Sequence, residues 1–181
     1  KFATLETAKP IEDLHTRLKA LVTGQDKAGE FYRHFHFSLF SYISHRIPEI
    51  SDEIYRVDDA MMAGFGWEIG AFESWDTLGL TKTREAMKAA GYSVAAWVDD
   101  MLSKGITSFY KVENGKQLYY DISSQTYKAK PGGDAFIVMK NFANQTIWKN
   151  NACRTYHLGD DVIGLEWYTK MGSIGGEVLE G

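Results

Sequence analysis

Five histidines and a cluster of carboxylates are the residues of this chain best suited to proton transfer or metal binding. His34 and His36 stand two apart, so on a helix they face different ways. His15, His45 and His157 bring no acidic or cysteine partner at ligand spacing, and no metal site is expected. Asp58, Asp59, Glu68, Glu73 and Asp76 lie close together in sequence. An acid–base pair needs a cleft and opposed environments that split the two pKa values. Spacing supplies neither, so Asp59 and Asp76 are read as capping or bracing the loop between their helices. Gly64, Gly66 and Gly70 suggest a phosphate cradle, but three residues separate Gly66 from Gly70 where the dinucleotide fingerprint has two. The residues before Gly64 also have helical rather than strand periodicity. The expected role is structural: Gly64 ends a helix, Gly66 and Gly70 let backbone pass closely, and Trp67, Phe72 and Trp75 fill the core. Cys153 is the single cysteine, which excludes an intramolecular disulfide and fits a reducing, cytoplasmic compartment.

The elements that hold these residues are mostly helices. The chain has 181 residues, 44% hydrophobic and 24% charged, with a formal net charge of −4. That is an ordinary globular composition without the basic excess of a nucleic-acid binder, and no apolar run approaches the ~20 residues of a membrane span. Residues 5 to 104 read as successive helices. Ile11, Leu14, Leu18, Leu21 and Val22 share one face, with Gly24 as a stop. Asp26 is placed to cap a helix through Phe31, Phe35, Leu39, Tyr42, Ile43 and Ile47, ended by Pro48. Phe37 and Phe40 lie off that stripe, and a helix apolar nearly all round is buried or awaits a partner. Ser51, Thr81 and Ser93 are further candidate caps, and Gly64, Gly79, Gly91 and Gly105 candidate stops.

After Gly105 the period changes from helix to strand. Residues 108–112 and 116–120 flank Asn114-Gly115, the signal of a two-residue type I′ hairpin. A third extended piece is expected over Thr126 to Lys130, a turn over Pro131 to Asp134, and a short run from Ala135 to Met139 that periodicity leaves open between helix and strand. Asn141, Asn144, Asn150 and Asn151 suggest a polar linker. Residues 152–168 predict two strands around Gly159-Asp160-Asp161. The last nine residues, from Ser173, read as the start of a helix capped by that serine, and neither terminus has the marks of a natural chain end, so an excised fragment is expected.

The stretch Gly64-Phe65-Gly66-Trp67-Glu68-Ile69-Gly70-Ala71-Phe72-Glu73-Ser74-Trp75-Asp76 resembles the signature of the helical C-terminal domain of 3-hydroxyacyl-CoA dehydrogenases, with Ala71 where that family usually has proline. Residues 152–174 are similar to the opening hairpin of the crotonase (enoyl-CoA hydratase) fold, and dehydrogenase–hydratase fusions join these parts in this order. The resemblance implies a mainly α fold, a helical bundle of the dehydrogenase C-terminal type followed by a β-hairpin and a short β extension. Its expected domains are residues 1–105 (helical, a second copy of that domain), 106–151 (hairpin and linker) and 152–181 (truncated start of the crotonase domain). The parent enzyme would oxidise 3-hydroxyacyl-CoA to 3-ketoacyl-CoA with NAD in fatty-acid β-oxidation. The family's catalytic histidine and its glutamate partner lie in a nucleotide-binding domain, and the G-F-x-x-N-R motif of the first helical copy is absent here. No catalytic or cofactor-binding residue is therefore expected in this chain, and Lys170 alone is a candidate contact to CoA. Implied partners are the Rossmann domain, first helical copy and hydratase domain of one polypeptide, with homodimerisation of the fragment through faces such as that of Phe37. The competing class is a non-catalytic helical interaction module.

Overall fold

The structure, a computed structural model, describes residues 1–133 and 136–180. It divides into two compact units, residues 1–111 with 119–128, and residues 112–118 with 129–181. About half of the chain is helical, and two small antiparallel sheets complete it.

The first unit contains α1 (Ala3–Ala8), α2 (Leu14–Thr23), α3 (Lys27–Arg46), α4 (Ile54–Phe65), α5 (Ala71–Leu78), α6 (Leu80–Ala89) and α7 (Ala96–Ser103). Local capping explains the start of the early helices. Asp13 accepts the Thr16 amide at 2.8 Å on α2. Asp26 accepts the Ala28 and Gly29 amides at 3.1 Å each on α3, while its second oxygen takes the Thr4 amide of α1 at 2.9 Å. The hydrogen bonds from Thr4, then those from Gly29 and Ala28, hold its carboxyl down at about 2.

Later boundaries follow tertiary contacts instead. Gly64 is inside α4, and the helix stops two residues on, where Gly66 takes the left-handed conformation at φ 66°. Thr81 lies within α6, which starts directly after Gly79. Ser93 does not cap α7, which begins at Ala96 with Ala95 at its N-cap position, and the Ala95 amide donates to the Ser44 hydroxyl of α3 at 3.1 Å. Trp97 Nε1 donates to the Ser44 carbonyl at 2.9 Å, so one serine ties α7 to α3. The core between these helices is aromatic. Phe40 and Trp75 stack with centroids 4.7 Å apart, and Phe109 packs its ring against Phe72, Trp75 and Trp97 at 4.9, 5.2 and 5.8 Å.

The first sheet comprises β1 (Tyr110–Glu113), β2 (Lys116–Asp121) and β3 (Thr126–Ala129), in that order. Asn114 and Gly115 form the expected turn, both with positive φ, 51° and 73°. In the second unit a Cβ on Gly115 would enter the ring of Phe142, and Asn141 Nδ2 donates to the Gly115 carbonyl at 3.1 Å.

The second sheet orders β4 (Thr146–Lys149), β5 (Cys153–Gly159) and β6 (Val162–Trp167). β5 and β6 pair antiparallel through Thr155↔Leu165 and Cys153↔Trp167, around a turn in which Gly159, Asp160 and Asp161 all have positive φ. β4 occupies the stretch expected to be linker; Ile147 and Trp148 extend because β5 supplies a ladder. Met139–Gln145 forms a 3₁₀ helix. The expected turn at Asp134 and the start of the apolar run at Ala135 lie outside the described residues. The final helix, α8 (Gly176–Leu179), is preceded by Gly175 and has no side-chain cap, so Ser173 does not serve as one. Among the described residues no helix is long and apolar enough to cross a membrane.

Candidate functional site

The Gly64–Asp76 stretch and the helix facing it are where the most unusual chemistry collects. Asp58 leaves α4 nearly sealed from solvent, 1% exposed. Its Oδ1 accepts the Phe72 amide at 2.9 Å; its Oδ2 accepts the Glu73 amide at 3.0 Å and the Tyr110 hydroxyl at 2.9 Å. Gly70, at the start of α5, has no side chain to cap that helix, and Asp58 caps it from across the loop. A Cβ at Gly70 would collide with the Asp58 side chain, which explains the glycine. Ala71 is the first helical residue of α5, where proline and alanine are both compatible with the turn. Asp76, at the other end of α5, accepts the Phe109 amide at 2.8 and 2.9 Å through its two oxygens and the Tyr110 amide at 2.8 Å. The two carboxylates thus hold the start of β1 between them.

Burial pushes both carboxyls up to about 7, against the pull of their hydrogen-bond donors. Asp58 and Glu73 raise Asp76 further by repulsion. The Tyr110 phenol is raised too, by burial and then by Asp58. Every partner of this pair is a backbone amide or a tyrosine already bonded, so the arrangement is a brace rather than an acid–base couple. Asp76 does brace backbone, but at the start of β1 and not in the loop between α4 and α5 where the sequence put it. The residue reaching across to α5 is Asp58, where the sequence pointed to its neighbour Asp59.

Beside the brace a cleft of about 610 Å³ opens between α2, α3 and the loop, lined by Tyr32, Phe35, His36, Trp67, Glu68 and Ser74 among others. Trp67 is only half-buried and lies at this surface, 6.3 Å from Phe35 and 5.9 Å from Phe65, so it does not fill the core as Phe72 and Trp75 do. His36 Nδ1 stands 2.7 Å from the Tyr32 carbonyl. A carbonyl only accepts, which places the proton on Nδ1 and a lone pair on Nε2. Burial lowers the His36 pKa and keeps the ring neutral.

α3 presents two apolar faces. Phe37, Phe40, Ile43 and Ile47 are buried, whereas Phe31, Phe35 and Tyr42 are 64%, 43% and 63% exposed. This inverts the expectation for Phe37, which is core and no surface contact. The remaining histidines are dispersed: His15 meets Thr77, His34 meets Tyr92, His45 meets the Ser41 carbonyl, and His157 accepts the Gly159 amide. Among the described residues no group of three or more candidate ligands is placed to hold a metal. Cys153 is fully buried. Lys170 is exposed at the first position of a 3₁₀ turn in the second unit.

A helical first unit braced by buried carboxylates, and two small antiparallel sheets, are the features the fold and the site define. Over 182 residues, 99% of this chain, it is 34% identical to a Bacillus subtilis (strain 168) protein named probable 3-hydroxyacyl-CoA dehydrogenase, of which the match covers 23%. The chain therefore spans about a quarter of that relative's length, and the similarity supports the 3-hydroxyacyl-CoA dehydrogenase family, oxidoreductases by name. No protein-family model matches the chain. No solved structure matches it.

Proposed function

We propose that this chain is the helical, substrate-framing part of a 3-hydroxyacyl-CoA dehydrogenase. It would be a second copy of the C-terminal domain followed by the opening strands of a hydratase domain, in an enzyme that oxidises 3-hydroxyacyl-CoA to 3-ketoacyl-CoA with NAD during fatty-acid β-oxidation. The observation that carries this reading is the Gly64–Asp76 signature in a chain similar over almost its whole length to a named dehydrogenase. Residues 1–105 would form that domain, 106–151 the linker and 152–181 the hydratase opening, with Lys170 near CoA in the intact protein. The Gly64–Gly70 stretch does not have the build of a dinucleotide cradle. Gly64 sits inside a helix, no strand leads into it, and the N-terminus of α5 that would meet a pyrophosphate is taken by the Asp58 carboxylate. On this reading hydride transfer falls to other parts of the enzyme, and this chain's contribution is shape: α5 and β1 held by Asp58 and Asp76.

The purified 181-residue chain is expected neither to reduce NAD with a 3-hydroxyacyl-CoA nor to hydrate an enoyl-CoA, whereas the complete protein that carries it performs the oxidation. Turnover by the chain alone, persisting through repurification, refutes the fragment reading; a complete protein without NAD-dependent oxidation favours the second reading. That reading, a non-catalytic helical interaction module, is favoured by the exposed Phe31–Phe35–Tyr42 stripe of α3.

A further inference from the structure

A second cleft, of about 600 Å³, lies among α2, α3, α5 and α6 and shares no lining residue with the aromatic one. Its wall carries Lys19, Arg33 and Lys82 and no carboxylate, on a chain whose net charge is −4. Its floor is apolar, with Val22 and Phe37 buried. The Arg33 guanidinium and the Gln25 amide donate to the Val22, Gly24 and Thr23 carbonyls, which cancels the negative end of the α2 dipole at the rim. Lys19 and Lys82, on different helices, form no ion pair among the described residues; the Asp13 carboxyl feels Lys19 but is committed to the Thr16 amide. Thr83, only 5% exposed as a residue, lines the same cleft and supplies a hydroxyl to its wall. Ammonium groups over a low-dielectric floor concentrate positive potential there.

We propose that this cleft binds a small amphipathic anion, a carboxylate or phosphate head on a short apolar tail. The head sits between the Lys19 and Lys82 ammoniums with Thr83 Oγ1 donating to it, and the tail covers Phe37, Val22 and Leu78. A cavity of this size, mostly apolar with a few convergent polar groups, has the build of a small-molecule site. The inference does not depend on the dehydrogenase reading, since it uses neither the signature nor the relative.

Amide-resolved NMR titration of the whole chain with hexanoate, hexyl phosphate, inorganic phosphate and hexanol tests it. Saturable shifts at Lys19, Lys82 and Thr83 with at least one of the two amphiphiles are expected, and the better of the two identifies the head. Phosphate alone and hexanol alone should bind at least about tenfold more weakly. The K19Q/K82Q double variant, changed only at exposed positions, should lose about tenfold in affinity, and Thr83→Val several-fold, with circular dichroism unchanged. Added salt should weaken binding. Hexanol binding as well as hexyl phosphate, an unaffected double variant, or shifts that map elsewhere would each overturn the proposal.

Discussion

At the scale of the residue, Asp58 and Asp76 make the fold's stability a function of pH. Both carboxyls are raised to about 7 in the folded chain from the ordinary aspartate value of 3.8, so the folded state binds protons more tightly than the unfolded state between those values. Stability from these groups is therefore fully present at acid pH and is lost as pH rises through 7. The slope approaches about 1.4 kcal/mol per pH unit for each group near the middle of the window. Asp26, held at about 2, has the opposite sign, and its contribution disappears only below pH 4. Urea unfolding at pH 5, 6, 7 and 8 should show falling stability, and Asp76→Asn should flatten the trend while lowering stability overall. One of its two oxygens becomes an NH2, a donor that cannot accept the backbone N–H it faces. A profile flat from pH 5 to 8 in the parent chain would mean that the hydrogen-bond donors outweigh burial and keep both carboxylates ionised.

Among the elements, the β1–β2 hairpin has the sharpest local requirement. Gly115 sits at φ 73°, and a side chain there meets the ring of Phe142 in the same unit. Gly115→Val should cost about 1–2 kcal/mol from the left-handed backbone alone, and more from the collision with Phe142. Thermal unfolding measures the loss, and an unchanged melting temperature would contradict the turn geometry. The second sheet makes a weaker local demand, since its turn at Asp160 and Asp161 uses residues that tolerate positive φ.

For the whole molecule, the doubly apolar α3 offers an exposed apolar stripe on which association can be tested. Its inner face is filled by Phe37, Phe40 and Ile43, while Phe31, Phe35 and Tyr42 remain exposed with Phe65 near Trp67. Self-association through the outer stripe is the expected outcome, because contiguous apolar surface of this kind normally marks an interaction site and identical patches can pair about a twofold axis. Sedimentation at several concentrations should reveal a dimer that Phe35→Glu converts to monomer without loss of helix. Phe37→Glu is a different experiment: it buries a charge in the core and should unfold the first unit. A monomer at high concentration in the parent chain would remove the stripe as a self-association surface.

Much of this fold was legible in the amino acids themselves. Asp26 and Gly24, the Asn114-Gly115 turn and the strand pair around Gly159-Asp160-Asp161 act through their own backbone neighbours, and such preferences survive in any surroundings. The family resemblance was equally local, carried by Gly64 to Asp76. The tertiary structure decided what depends on distant partners. Periodicity marked both apolar faces of α3 but not which one met Trp75, since either face could bury area. Ser44 rather than Ser93 met the backbone at the start of α7, and Asp58 rather than Asp59 reached α5, because long-range packing set which side chain arrived. β4 escaped notice among asparagines, since its extended form rests on pairing with β5. The cationic cleft was invisible for the same reason. Lys19 and Lys82 are far apart in sequence, and only the packing of α2 and α6 on either side of α5 brings two unremarkable lysines to one cleft.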